Sequence, residues 1–147
     1  MKPRIATRAI IIQDNALLMV NAFPGNTSDL WCAPGGGTHI HTSLPENLIR
    51  EVFEETGLTV NVGEPCLVNE FHDPHGTFHQ IEIFFRAQIT KGVIDPDWRD
   101  PENIVTKRRF FTKKQMDSIR FKPSSLPKIA FSANNSINYD TLEAITR

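Results

Sequence analysis

The sequence predicts an α/β sandwich, and three observations lead to it. Apolar residues alternate with polar ones in several short runs bounded by turn residues, the pattern of half-buried strands. One segment, residues 44–56, instead has helical spacing and carries start and stop signals at both ends. The 147 residues, 39% hydrophobic and 22% charged, suit one folded domain with its own core.

In chain order, residues 4–12 and 15–22 read as strands joined by a tight turn at Asp14-Asn15. Pro24-Gly25-Asn26-Thr27-Ser28-Asp29 is a loop, and Leu30 to Ala33 a short strand feeding Gly35-Gly36-Gly37. Ser43-Leu44-Pro45-Glu46 opens the helix as a capping box with proline in the first turn. Gly57 closes it at a left-handed position, with Phe53 and Leu58 placed to touch. Strands follow near 58–62, 66–72 and 78–89, the last two linked by a turn at Pro74–Gly76, and another spans 103–111. A short helix begins at Thr112 and continues through Gln115, Met116 and Ile119; a further helix covers 124–132. Residues 1–147 form a single domain, in which the chain after about residue 132 reads as a polar, mobile tail.

The chemistry concentrates in Arg50-Glu51-Val52-Phe53-Glu54-Glu55-Thr56-Gly57-Leu58. Glu51, Glu54 and Glu55 stand at i, i+3 and i+4, neighbours on a helix surface that repel one another. Projected at about 100° per residue, Leu48, Ile49, Val52 and Phe53 form one apolar arc extended by Leu44. Glu54 lies well away from the arc, Glu51 at its border, and Glu55 between Leu44 and Leu48. An unpaired carboxylate aimed inward is costly. A cation must answer it: a hard divalent ion, Mg²⁺ or Mn²⁺, or an arginine. The plainer alternatives are a solvated acidic face, or a surface that meets a protein partner without any metal.

With Gly36 upstream, this pattern resembles the Nudix box of the MutT-like pyrophosphohydrolases: glycine, five residues, glutamate, seven residues, then Arg-Glu-apolar-x-Glu-Glu-x-Gly-apolar. It covers residues 36–58, and every specified position matches except Thr42, which stands where the family has glutamate. His41 replaces a common glycine and His39 a frequent glutamate. Trp31-Cys32-Ala33-Pro34 and Phe121-Lys122-Pro123 are weaker echoes. The resemblance implies an α/β/α sandwich with a mixed central sheet and a loop-helix-loop catalytic motif. It also implies metal-dependent hydrolysis of a nucleoside diphosphate linked to another group: a nucleoside triphosphate, nucleotide sugar, ADP-ribose or similar molecule.

Under that resemblance Glu51, Glu54, Glu55 and the Gly35 carbonyl are the metal ligands, with Mg²⁺ or Mn²⁺ as cofactor, and Arg50 orients a box glutamate. Gly36 and Gly37 let phosphate approach the backbone closely. Thr42 cannot carry charge. It leaves open a domain that binds nucleotide without turning it over. A further carboxylate outside the box is expected from Asp100 or Glu102, in the proline-broken loop 95–102, or from Glu82. Glu82 sits opposite the Ile81, Ile83, Phe85 face of its strand, where a solvated side chain is the competing reading. His39, His41 and Trp98 are candidate substrate contacts. No cysteine pair has zinc-ligand spacing, so the histidines read as polar loop residues.

A formal net charge of −1 with no long basic run argues against polymeric nucleic acid as partner. The expected partner is a small nucleotide-type substrate, with a homodimer allowed. No apolar run is long enough for a signal core or a membrane span. Two widely spaced cysteines suit a reducing, cytoplasmic setting.

Overall fold

Alternation and turn chemistry set most of the strands in the computed structural model, which describes residues 2–145. Strand β1 (Arg4–Gln13) turns into β2 (Ala16–Asn21) through Asp14 and Asn15, whose φ angles of 51° and 61° match the twist of a two-residue hairpin. β3 (Leu30–Trp31), β4 (Gly35–Gly37) and helix α1 (Leu44–Thr56) follow. The segments expected separately at 58–62 and 66–72 are one strand, β5 (Thr59–His72). Gly63-Glu64-Pro65 reads locally as a break, but register irregularities between Val62, Pro65 and Leu67 absorb it. β6 (His79–Lys91) returns antiparallel to β5, after a turn in which the Asp73 N–H donates to the Phe78 carbonyl at 2.8 Å.

β7 (Lys107–Thr112) starts later than the expected 103–111 because the chain before it is tied into a turn around Asp100. α2 (Lys113–Met116) begins where Thr112 and Gln115 make a reciprocal capping box. β8 (Arg120–Phe121) and α3 (Leu126–Ala130) follow, α3 being shorter than the expected 124–132. Its last carbonyls are taken by Arg86, whose Nη2 donates to Ile129 at 2.9 Å.

The stretch after residue 132, expected as a polar tail, contains two short strands among its described residues. β9 (Asn138–Tyr139) and β10 (Glu143–Ala144) both pair parallel to β5. The Asp140 carboxylate between them accepts from Asn69 at 3.1 Å and Ser125 at 2.6 Å. These strands are two residues long, too short for periodicity to reveal.

The sheet runs β10-β5-β6-β1-β2-β7, with β4 also paired to β1 and β9 to β5. It is mixed: β1 and β6 are parallel, the neighbouring hairpins antiparallel. Partway along, β1 exchanges partners. Ala6 to Arg8 pair with β4, whereas Ile12 and Gln13 pair with β2. The glycine strand is thus inserted into the sheet beneath α1.

Both faces are covered. Ala9, Ile11, Leu18 and Phe85 pack with Leu48 and Val52 of α1; Ile10, Leu17, Met19 and Phe84 pack with Met116, Leu126 and Ile129 of the other layer. Alternation along each strand puts these sets on opposite sides. On α1 the buried residues are Asn47, Leu48, Glu51, Val52, Glu55 and Thr56. The arc is therefore rotated from the expected one: Ile49 and Phe53 lie at its outer edge, 38% and 48% exposed. Ser43 accepts the Glu46 N–H at 3.2 Å, and Gly57, with φ 76°, returns its N–H to Phe53 at 2.8 Å. No helix among the described residues is long and apolar enough to cross a membrane.

Candidate active site

Three features converge at β4. Gly35 has φ 150°, and a Cβ there would lie 1.9 Å from the Thr7 carbonyl, so only glycine fits. Its N–H donates to Glu55 Oε1 at 2.8 Å, and its carbonyl accepts from Arg8 Nη1 at 3.1 Å. At Gly36 a Cβ would fall 2.6 Å from the Glu51 carboxylate. At Gly37 it would fall 2.3 Å from the Arg4 guanidinium. The glycine strand thus carries Glu55, Glu51 and Arg4 in succession along its length.

A cleft of about 370 Å³ opens here. It is lined by the carboxylates Glu51, Glu55 and Glu102 and by the cations Arg4, Arg8 and Lys122, with Gln80 and His39 also lining it. A cavity lined by both carboxylates and cations can take a phosphate-bearing molecule together with positive ions.

Burial governs the acidic wall. It pushes the Glu55 carboxyl up to about 8, against the charge of Arg8 and the Gly35 N–H, while Glu51 and Asp100 push it further up. Burial also raises Glu51, opposed chiefly by Arg50 and reinforced by Glu54 and Glu102. Both groups would gain from a cation.

Arg50 meets two of the glutamates: Nη2 lies 3.1 Å from Glu51 Oε1, and Nη1 lies 3.1 Å from Glu54 Oε2. It also donates to Asn47 Oδ1 at 2.8 Å. Asn47, fully buried, donates onward to Thr7 Oγ1 at 3.0 Å, and its Oδ1 accepts the His39 N–H at 3.3 Å. The helix, the glycine strand and the loop between them are locked together through this one amide. Glu54 stands on the outer side of the cluster and does not line the cleft.

Among the described residues no three His, Cys, Asp or Glu side chains converge closely enough to hold an ion as they stand. Glu51 and Glu54 are turned onto Arg50 and Glu55 onto Gly35. The donor chemistry nevertheless fits a hard divalent cation: oxygen donors only, two of them buried carboxyls raised by burial, against backbone that has no Cβ to obstruct approach.

The remaining candidates separate. Glu102 lines the cleft. Asp100 is buried, and its carboxylate accepts backbone N–H groups from Glu102, Ile104 and Val105 at 2.9–3.2 Å, which holds its own loop. Glu82 is neither a solvated strand residue nor a lining residue. It is 2% exposed and accepts from Arg8 Nε and Gln80 Nε2, both at 2.8 Å. Trp98 covers the end of α1 instead of the cleft: its indole N–H donates to the Glu54 carbonyl at 2.8 Å and its ring meets Phe53 edge-on. His41 is exposed, with φ 65°, and lies off the lining. Arg4, Arg8, Asn47 and Lys122 are not legible as site residues in the sequence, because no local spacing ties any of them to the glycine strand. Only Lys122 carried a signal, within the Phe121-Lys122-Pro123 echo.

One expectation follows for Asp100. Replacing it with alanine orphans three backbone donors and should cost about 2–3 kcal/mol of stability, read as a lowered Tm. Mg²⁺ affinity of the folded protein should not change; a selective loss of Mg²⁺ affinity at full stability would reassign Asp100 to the cation.

An α+β sandwich whose helix carries carboxylates to an inserted glycine strand defines the class. The chain belongs to the NUDIX domain family, whose model matches residues 2–130. It is 30% identical over 109 residues to human diphosphoinositol polyphosphate phosphohydrolase 2, covering 74% of this chain and 54% of that protein. It is 28% identical over 93 residues to the Bacillus subtilis protein YjhB, named as a candidate ADP-ribose pyrophosphatase, covering 61% and 43%. The chain spans about half the length of these curated relatives. Among solved structures, an ADP-ribose pyrophosphatase from Streptococcus suis superposes with a TM-score of 0.70 at 20% identity, covering 95% of this chain and all of that one. A NUDIX hydrolase from Nitrosomonas europaea gives 0.73 at 20%, covering 87% and 86%. At such identities the likeness to these structures is one of fold.

Proposed function

We propose that this protein is a pyrophosphohydrolase that uses divalent metal to cut the diphosphate of a nucleoside diphosphate linked to another group, acting as one domain. The observation that carries this reading is Glu55: a buried carboxyl raised to about 8, held against the glycine strand at the edge of a cleft that also presents three cationic side chains. Family membership supports it, since such domains generally use divalent metals.

Glu51 and Glu55, with Glu54 beside them, would hold Mg²⁺ or Mn²⁺. A bound divalent cation neutralises phosphate charge and lowers the pKa of a coordinated water. The chain's own residues do the rest. Arg8 holds the Gly35 carbonyl, the Gly35 N–H holds the Glu55 carboxylate, and Arg50 aligns Glu51 and Glu54. Glu102 is the expected outside carboxylate that faces the cleft and can take a proton there. The names of the relatives suggest two substrate types, ADP-ribose and diphosphoinositol polyphosphates.

Purified protein should release product from a panel of nucleoside diphosphate derivatives with Mg²⁺ or Mn²⁺ and not in EDTA. Metal-independent cleavage, or none of any diphosphate, would contradict this reading. A second reading, binding without turnover, is favoured by Thr42 and by the engagement of Glu51 and Glu54 with Arg50. It predicts metal-dependent nucleotide binding without product, and a gain of turnover in Thr42→Glu.

A further inference from the structure

Strand β7 ends the sheet order and has no strand on its outer side. Its partner β2 decides which of its backbone groups face outward. Val20 exchanges both hydrogen bonds with Cys32, at 2.8 and 3.0 Å, which leaves none for Arg108, the residue opposite it on β7. Bonded and unbonded pairs alternate along an antiparallel ladder. Lys107, Arg109 and Phe111 therefore bond to β2, while the N–H and C=O groups of Arg108 and Phe110 point away from the sheet.

The side chains along this edge are cationic. Lys107 and Arg109 are exposed, share one face of the strand and form no ion pair among the described residues. The Arg109 guanidinium lies 5.2 Å from the centre of the Phe111 ring, which Trp31 meets edge-on. A groove of about 480 Å³ follows the edge, lined by Trp31, Pro96, Thr106, Lys107, Arg108 and Arg109, with no carboxylate among them. Asp95, beside Pro96, accepts the Asp97 N–H at 2.8 Å and forms no ion pair with the three cations. Trp31 packs in the layer of Phe111, whereas Pro96 belongs to the loop whose Trp98 covers the end of α1. Residues of both layers thus flank the free backbone.

A second copy of the chain fits this edge poorly. Antiparallel pairing centred on Arg108 or Arg109 would set cation against cation, which is destabilising. An acidic strand reverses that sign. We propose that β7 is a docking edge for an extended acidic segment of a partner protein, added to the sheet as a further strand. Main-chain bonds to Arg108 and Phe110 give the affinity, and carboxylates at alternate positions, facing Lys107 and Arg109, give the specificity. The six residues of β7 span about 20 Å at ~3.3 Å per residue, room for a hexapeptide. Neither Lys107 nor Arg109 lines the cleft, so docking is tested without turnover.

The probe is the end-blocked, fluorescein-labelled peptide Glu-Thr-Glu-Thr-Glu-Thr, titrated by anisotropy at low salt. Lys107→Glu with Arg109→Glu should weaken binding at least about tenfold, because two attractive pairs become repulsive. Lys2→Glu with Lys91→Glu, the same charge change elsewhere, should leave it unchanged. Two further peptides, methylated on the amide nitrogens of the threonines or of the glutamates, separate strand addition from adsorption. One set of amides faces β7 and its methylation should abolish binding; the other faces solvent and its methylation should be tolerated. On the unaltered protein, peptide should slow amide hydrogen exchange at Arg108 and Phe110.

Equal losses from both methylated peptides, or an equal loss in the Lys2 and Lys91 variant, would show adsorption to any basic surface and overturn the docking edge, as would no binding by the wild type. A wild-type dimer in sedimentation from which the peptide is excluded would give the edge to a second copy and overturn it as well.

Discussion

Glu55→Gln should lower kcat/KM by more than about a hundredfold and, in the absence of metal, raise thermal stability. The first effect follows from its place as a cation ligand, since groups one layer further out cost ten- to a hundredfold on their own. The second follows from burial. The folded protein holds the Glu55 proton up to about 8, whereas an unfolded carboxyl releases it near 4.5. Between those values the native state binds more protons than the unfolded state, so stability falls as pH rises across that window. Glutamine keeps the shape and the bond to the Gly35 N–H and removes the charge. Melting curves in EDTA from pH 5 to 9 should slope downward for the wild type and less steeply for Glu55→Gln, and the curves should converge at the acid end. Activity should rise between pH 7 and 9 as Glu55 ionises and becomes able to hold metal. A variant that is active, or less stable than wild type at pH 8.5, would remove Glu55 from the account.

The second large effect is expected at Arg8. Its side chain and that of Glu82 are 13% and 3% exposed, and the pair is joined at 2.8 Å. Burial alone would depress the guanidinium, but the surrounding charges, Glu82 foremost and Glu55 with it, together with the Glu82 hydrogen bond outweigh burial and keep Arg8 charged. Arg8→Met leaves Glu82 buried with only Gln80 as donor and frees the Ala33 and Gly35 carbonyls. Breaking such a pair from one side costs about 3–5 kcal/mol. For a domain of this size each kcal/mol moves Tm by about 2–4 °C, so a fall on the order of 10 °C is expected. Arg8→Met combined with Glu82→Leu should recover much of that loss, because an apolar pair leaves no orphaned charge. It should not recover activity, because the donor to the Gly35 carbonyl is still absent. A shift of under about 3 °C for the single change, or a double variant no more stable than the single, would contradict this.

Local chemistry made part of this molecule legible. The helix ends at Ser43 and Gly57, the Asp14-Asn15 turn and the inward projection of Glu55 all depend on residues within a turn or two of each other. Where distant segments decide, reading the sequence failed. Ile49 and Phe53 had the spacing of core residues, but α1 is rolled toward Asn47 and Glu51, and Trp98 from a remote loop covers Phe53. Glu82 looked like one residue of an alternating polar face. Its burial comes from Arg8, seventy-four residues earlier. Asp100 was singled out for its charge, yet that charge is spent on backbone N–H groups of its own loop, a role no spacing rule distinguishes from catalysis. The cationic wall was missed for the same reason, since Arg4, Arg8 and Lys122 come from opposite ends of the chain and meet only through the sheet and the segment that follows β8.

The central claim, that the α1 carboxylates hold divalent metal for diphosphate cleavage, is tested most directly by Mn²⁺ binding. Paramagnetic resonance titrations would be run at pH 8.5 with a methylene-bridged ADP analogue, on wild type and on Glu51→Gln and Glu55→Gln. The account predicts saturable Mn²⁺ binding in the wild type that each substitution weakens strongly while the fold persists. Wild-type protein that binds no Mn²⁺, or variants that bind it as tightly as wild type, would contradict it.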